Sequence, residues 1–328
     1  MDADALKLTT YVGERQRTGD AFVADELLDL YGRHELRTSI LLRGADGFGL
    51  HHHLRTDRLL TLSEDLPVVA IAVDRRERVE AVLDEATALE RPGLVTVERA
   101  RLAADDLRAA TVPDTAEVKL TVYVGRQETA GGAPAFVAIC DLLHRRGVAG
   151  ATALLGVDGT AHGARRRARF IGRNVNVPMM VIAVGARERI RAVLPELGAM
   201  LERPLVTLER VQVVKRDGVL LSAPRPPAEE GMWQKLMVYG APDLVRALRE
   251  AGARGATALR GVWGFHGDHA PHGDRLLQLR RHVPLVTIVV DTPEQIARVF
   301  PVLDAGTRER GLVTSEAIPT AQPSARPY

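Results

Sequence analysis

Residues Thr38 to Asp74, TSILLRGADGFGLHHHLRTDRLLTLSEDLPVVAIAVD, read as a short apolar strand, a glycine turn, a polar loop and a second apolar strand entered through proline. The same succession returns from Gly150 to Gly185 (GATALLGVDGTAHGARRRARFIGRNVNVPMMVIAVG) and from Gly255 to Asp291 (GATALRGVWGFHGDHAPHGDRLLQLRRHVPLVTIVVD). Gly44, Gly156 and Gly261 close the first strand, and Gly47, Gly159 and Gly264 follow three residues later. Arg58, Arg169 and Arg275 each stand nine residues before Pro67, Pro178 and Pro284. A register held this closely marks an internal repeat, which sets the domain count before any other reading.

Outward from that stretch the copies stay parallel. Each opens on an alternating strand, LKLTTYVG from Leu6, VKLTVYVG from Val118 and QKLMVYG from Gln234. A helix follows, with apolar stripes Ala24-Leu27-Leu28-Tyr31, Phe136-Ile139-Cys140-Leu143 and Ala241-Leu244-Val245-Leu248 ending at Gly32, Gly147 and Gly252. Repeat three lacks the loop of about ten residues that the other two carry before this helix. After Asp74, Gly185 and Asp291 come a second helix and a last strand, LVT at Leu94, Leu205 and Leu312.

The order strand, helix, strand, strand, helix, strand predicts an α+β fold: three tandem ferredoxin-like βαββαβ sandwiches. The strands VVAIAV (Val68–Val73), MMVIAV (Met179–Val184) and LVTIVV (Leu285–Val290) are apolar throughout, which predicts burial of both sheet faces. Three such faces covering one another make an intrachain pseudo-trimer that is a monomer in solution. The divisions are repeat one at 1–98, a linker at 99–117, repeat two at 118–209, a linker at 210–231 with a hairpin around Asp217-Gly218, repeat three at 232–316 and a disordered tail at 317–328.

Composition bounds the partners. The chain of 328 residues is 46% hydrophobic and 26% charged, ordinary for a globular protein, and three units of about 100 residues can each own a core. A net charge of +2 and 4% aromatics give neither the electrostatic footprint nor the stacking platforms of a nucleic-acid binder. The single cysteine, Cys140, excludes an intramolecular disulfide and sits at core spacing. An acidic N-terminal stretch without signal-peptide blocks, and no apolar run of spanning length, predict a cytoplasmic protein.

KLTTYVGE (Lys7–Glu14), GADGFG (Gly44–Gly49), RLLTLSEDLP (Arg58–Pro67) and GLVT (Gly93–Thr96) resemble the PII-like proteins of the family known as domain of unknown function 190. Repeat three keeps GFHG, RLLQL and GLVT, while repeat two departs most, with FIGRNVNVP before its strand. The resemblance implies a regulatory protein that binds an adenine nucleotide or another small anion between units. It also implies long loops offered to a partner such as a membrane transporter or channel.

Several residues are candidates for that chemistry. Clefts between repeats are expected to be lined by Lys7, Lys119 and Lys235, by the turns Gly44, Gly47, Gly49, Gly156, Gly159, Gly261 and Gly264, and by loop arginines Arg58, Arg165, Arg166, Arg167, Arg169 and Arg275. Guanidinium forks and turn amides both suit anions, although a solvated loop and plain turn geometry account for them as well. His51, His52 and His53, with His266, His269 and His272, offer an alternative reading as a metal-binding protein, imidazole being a common transition-metal ligand. No nucleophile–base pair or carboxylate set is seen to recur across the copies, which places an enzyme with a site between repeats last.

Overall fold

In the third apolar strand segment of repeat one, alternate residues enter different cores. Val68, Ala70 and Ala72 pack in one apolar cluster and Val69, Ile71 and Val73 in another. Repeat two divides the same way, Met179, Val181 and Ala183 against Met180, Ile182 and Val184. A computed structural model describes residues 3–49, 55–56, 65–89, 93–104, 106–161, 164–165, 177–241, 244–267, 269–273, 284–309 and 311–319.

Repeat one comprises β1 (Ala3–Gly13), α1 (Val23–Arg33), β2 (Thr38–Phe48), β3 (Pro67–Arg75), α2 (Arg76–Leu89) and β4 (Leu94–Ala104). Repeat two comprises β5 (Glu117–Gly125), α3 (Ala135–Arg145), β6 (Gly150–Leu155), β7 (Asp158–Ala161), β8 (Pro178–Ala186), α4 (Arg187–Met200) and β9 (Leu205–Arg216). Repeat three comprises β10 (Trp233–Tyr239), α5 (Leu244–Glu250), β11 (Ala256–Arg260), β12 (Trp263–His266), β13 (Leu285–Asp291), α6 (Pro293–Gly306) and β14 (Leu312–Ile318). Pairs of two-residue strands complete the described set. Helix α6 shows the local logic of these elements: Thr292 caps its N-terminus, accepting from the Gln295 amide, and Pro293 opens the first turn.

The expectation of three ferredoxin-like sandwiches forming a pseudo-trimer is corrected here. Eighteen strands form one continuous antiparallel sheet that closes into a β-barrel, with the six α-helices of the described residues packed on it. In repeat one the sheet runs β2, β3, β1, β4, but β2 and β4, at 11 residues each, continue into pairing with other repeats. The Gly44–Phe48 half of β2 pairs with β11, its Thr38–Leu41 half pairs with β7, and β12 pairs with β6. At the other end β4 pairs with β9 through Arg101–Ala104, β9 pairs with β14 through Gln212–Arg216, and Val97 N–H donates to Pro319 O. Backbone groups at the sheet edges are thereby satisfied, which a set of separate sandwiches would leave exposed.

The barrel interior is the second apolar cluster, drawn from all three repeats, including Ile40, Ile71, Met180, Ile182, Met237 and Ile288. Each remaining cluster lies between the sheet and one repeat's helices. Residues 99–117 do not hang free of these cores, since Leu107 and Val112 belong to the repeat-two cluster. Within 210–231, Lys215 pairs with Leu220 around a turn whose Asp217 and Gly218 have φ of 50° and 80°. Ala317 and Ile318 complete β14. Among the described residues no helix is long and apolar enough to cross a membrane.

The repeated glycines mark the seams. A Cβ on Gly159, where φ is +155°, would stand 2.3 Å from Ser39 O of repeat one, and one on Gly264 2.4 Å from Ala151 O of repeat two. Overpacking a tight contact typically costs about 1–3 kcal/mol. Gly159→Ala should therefore lower the urea-unfolding free energy by at least about that amount. Gly49→Ala, at a position with nothing within 4 Å of its Cβ, should leave it nearly unchanged.

Candidate functional site

Alternation along β1 places Leu6 and Leu8 in the helix-facing core, so Lys7 between them points into the barrel. Lys119 on β5 and Lys235 on β10 do the same, and all three are buried, at 5%, 1% and 3% exposure. Directly across the sheet stand Glu98, Glu209 and Glu316, in register with them on the last strand of each repeat. Each lysine reaches its own repeat's glutamate and that of another. Lys7 Nζ lies 2.6 Å from Glu98 and 2.5 Å from Glu209, and Lys119 Nζ 3.0 Å from Glu209 and 2.5 Å from Glu316. Lys235 Nζ closes the ring, 3.5 Å from Glu316 and 2.6 Å from Glu98.

Charge balance sets the protonation of this ring. Burial works against the Lys7 ammonium, but the attraction of Glu209, Glu98 and Glu316 outweighs it and raises its pKa well above the lysine range. Lys119 is raised in the same way, burial being overcome chiefly by Glu209 and Glu316. At Lys235, with its longer contact to Glu316, burial prevails and the pKa is lowered. Burial would raise the Glu98 and Glu209 carboxyls, yet the facing lysines hold both below the carboxylate range. Burial pushes the Tyr123 hydroxyl up to about 12, and those of Tyr11 and Tyr239 also rise.

The ring's charges answer one another. The three carboxylates present atoms within 4.8 Å of one another, as a cation would require, but the three ammoniums already stand among them. The adjoining cavity measures about 30 Å³. The lysines expected to line clefts are therefore enclosed at the centre. The carboxylates that complete the ring went unread, and the view that no carboxylate set recurs is corrected. LVTVE (Leu94–Glu98), LVTLE (Leu205–Glu209) and LVTSE (Leu312–Glu316) carry the signal, a glutamate at one fixed place in every copy.

The predicted glycines other than Gly49 are closely packed too. A Cβ on Gly44 would meet Pro67, one on Gly156 would meet Pro178 O and Ile40, one on Gly261 would meet Thr152 and Pro284, and one on Gly47 would meet Ala256 O. Arg165 pairs through its backbone with Thr160. Arg58, Arg166, Arg167, Arg169, Arg275, His51, His52 and His53 lie outside the described residues. His266, His269 and His272 share one hairpin and one cleft, but among the described residues their ring nitrogens do not form a metal-ligand group.

That cleft offers ligand-sized space. It measures about 1,300 Å³ and lies between repeats two and three. Repeat two contributes the end of α3 with His144, the start of α4 with Arg189, and Arg216 and Asp217 of the hairpin. Repeat three contributes Tyr239, Gly240, Arg260, Phe265 and the histidine hairpin. In repeats one and two the first strand leads into a loop that folds on itself, Arg17 against Phe22 and Ala130 against Ala133. Gly240 has no such loop after it and lines the cleft instead.

A protein-family model, DUF190, described as an uncharacterized ACR, matches the sequence three times, over residues 5–102, 117–213 and 228–320. No solved structure matches.

Breaking one side of a buried ion pair strands the other charge, at a cost of about 3–5 kcal/mol. Glu209→Gln, which touches two lysines, should lower the unfolding free energy at pH 7 by about that amount. The wild-type pH dependence follows from the direction of the carboxylate shifts. Stability from Glu98 and Glu209 is present above the unfolded carboxylate pKa of about 4.3 and is lost as pH falls through their lower folded values. Urea midpoints measured from pH 7 down to 3 should show a steep acid loss that is shallower in Glu209→Gln.

Proposed function

The chain belongs to the DUF190 family, and on that premise we propose that it is a regulatory protein whose effector is a small organic anion bound in the cleft between repeats two and three. One observation carries this reading: a cleft of about 1,300 Å³ whose walls hold Arg189, Arg216 and Arg260 together with four histidines, against the carboxylates of Asp217 and Glu309. Small-molecule sites usually enclose about 300–1,000 Å³ with a few convergent polar groups, so a nucleotide-sized ligand fits. Guanidinium groups suit phosphate and carboxylate, and the ring of Phe265 adds flat surface nearby.

Regulation in this reading is exerted in the cytoplasm on a partner such as a membrane transporter, through chain segments next to the cleft. The hairpin that carries His266 and His272 forms a wall of the cleft and continues directly into residues 274–283. A ligand gripping that wall changes the partner's affinity only by its own difference in affinity for the two arrangements.

A thermal-shift panel of ATP, ADP, AMP, cyclic AMP, bicarbonate and citrate tests the proposal. A ligand at 100 times its dissociation constant stabilises the native state by about 2.7 kcal/mol. At least one compound should raise the melting temperature of the full chain, and Arg260→Ala should abolish the rise without lowering the melting point of the ligand-free protein by more than about 1 kcal/mol in stability terms. A panel with no response, or a response unchanged in Arg260→Ala, would overturn the reading.

A further inference from the structure

His266 closes one rim of the cleft through a single nitrogen with two partners. Its Nε2 lies 2.5 Å from Asp217 Oδ1 and 3.2 Å from the Gly311 amide nitrogen, whose N–H points to it. The partners make opposite demands. A carboxylate oxygen only accepts, so the Asp217 contact requires a proton on Nε2; an amide only donates, so the Gly311 contact requires a lone pair there. The two contacts therefore belong to different proton placements on one ring: Asp217 takes the Nε2–H of the imidazolium or of one neutral tautomer, and Gly311 the neutral tautomer whose proton is on Nδ1.

Asp217 is placed to alternate. It sits at the turn of the hairpin that ends repeat two, a non-glycine residue with φ of 50°, and its own amide donates to Gly311 O at 2.9 Å. The side chain is half exposed, whereas His266 is held by its strand, paired across the seam with Gly150. The charged groups facing His266 are mostly cationic. Arg216 adjoins Asp217 on the hairpin, Arg260 stands on the strand before His266, and Arg189 opens α4. His269 and His272 share its hairpin, His144 packs edge-on against Phe265, and Glu309, whose backbone adjoins Gly218, is a second acid on the Asp217 side. An anion at this spot meets a basic wall, and the Asp217 carboxylate is the anion that the chain itself supplies.

We propose that Asp217 is a tethered occupant of the anion position at His266, engaged when Nε2 is protonated and released when Nε2 turns to the Gly311 amide. This rests on the cleft being the effector site and adds its regulation: an external anion must displace Asp217, and the proton occupancy of His266 sets how strongly Asp217 competes. A neutral ring with its proton on Nδ1 releases the carboxylate, and a neutral ring of either tautomer takes the imidazolium charge out of the cleft. The ligand class this favours carries a phosphate or carboxylate able to take the place of one aspartate.

Inorganic sulfate, whose charge is constant between pH 5.5 and 8, serves as the probe on the full chain, with nitrogen-15 NMR of the histidine rings as a second readout. Asp217→Asn should bind sulfate about two- to fivefold more tightly at pH 5.5, the range of a partly exposed ion pair. It should also move the neutral His266 ring toward the tautomer with its proton on Nδ1, because Nε2–H loses its carboxylate acceptor while the Gly311 amide remains. In a His266→Gln background the same substitution should leave sulfate affinity unchanged. A His266 tautomer balance and a sulfate affinity both unmoved in Asp217→Asn would overturn the inference while leaving a positive ligand panel standing. A shifted tautomer balance with no ligand bound by either protein would sink the effector reading and retain the His266–Asp217 latch.

Discussion

The structure depends on six buried charges, one lysine and one glutamate from each repeat, shared across the repeats. Lys7, Lys119 and Lys235 each contact glutamates from two repeats, so the buried ring is complete only when all three strands pairs face inward together. Taking such charges out of water costs several kcal/mol per ion, and apolar side chains of similar volume would often serve stability as well. What the ring supplies is register. A one-residue slip of β1 against β4 would turn Lys7 toward the helices and bring Leu6 or Leu8 inside, leaving Glu98 and Glu209 short of a cation. The apolar interior tolerates many arrangements, whereas the ring is satisfied by one.

Around that centre the seams are set by backbone. Where β7 crosses β2 and β12 crosses β6, the strands approach so closely that Gly159 and Gly264 have no room for a side chain. The same glycines that looked like anion-binding turns are spacers between repeats. This fixes three equivalent seams on a closed sheet, and differences between copies then fall on what surrounds each seam. Repeat three omits the loop that follows the first strand elsewhere, and the cleft lies beside Gly240, where that loop would begin.

The sequence made part of this legible and withheld part for physical reasons. Repeats, helices and the burial of both faces of β3 and β8 follow from spacing and from the period of two, because those signals are local. Closure of the barrel was not visible: whether β2 and β4 end with their own sheet or continue onto another repeat depends on contacts hundreds of residues apart. The lysines stand out in the sequence, and Leu6 and Leu8 in LKL assign Lys7 to the face opposite the helices, but only closure of the barrel makes that face an enclosed interior rather than a cleft wall. Glu98, Glu209 and Glu316 were readable as a recurrent residue after LVT but carried no catalytic motif to draw the eye. Asp217 lies 49 residues before His266, and no periodicity links them.

A fold with so rigid a centre must place its responsiveness elsewhere. The ring holds Glu98 and Glu209 with carboxyls shifted down and Lys7 and Lys119 with ammoniums shifted up, so ordinary changes of pH leave those four as they are. The space beside it is also far smaller than the cleft. The cleft differs in each respect: it is open, basic, and closed at one rim by a histidine whose two partners exclude each other. That histidine stands on β12, one of the strands that make the seam between repeats two and three. A ligand or a proton acting there meets a strand already shared by two repeats, while the sealed centre keeps the third repeat in place.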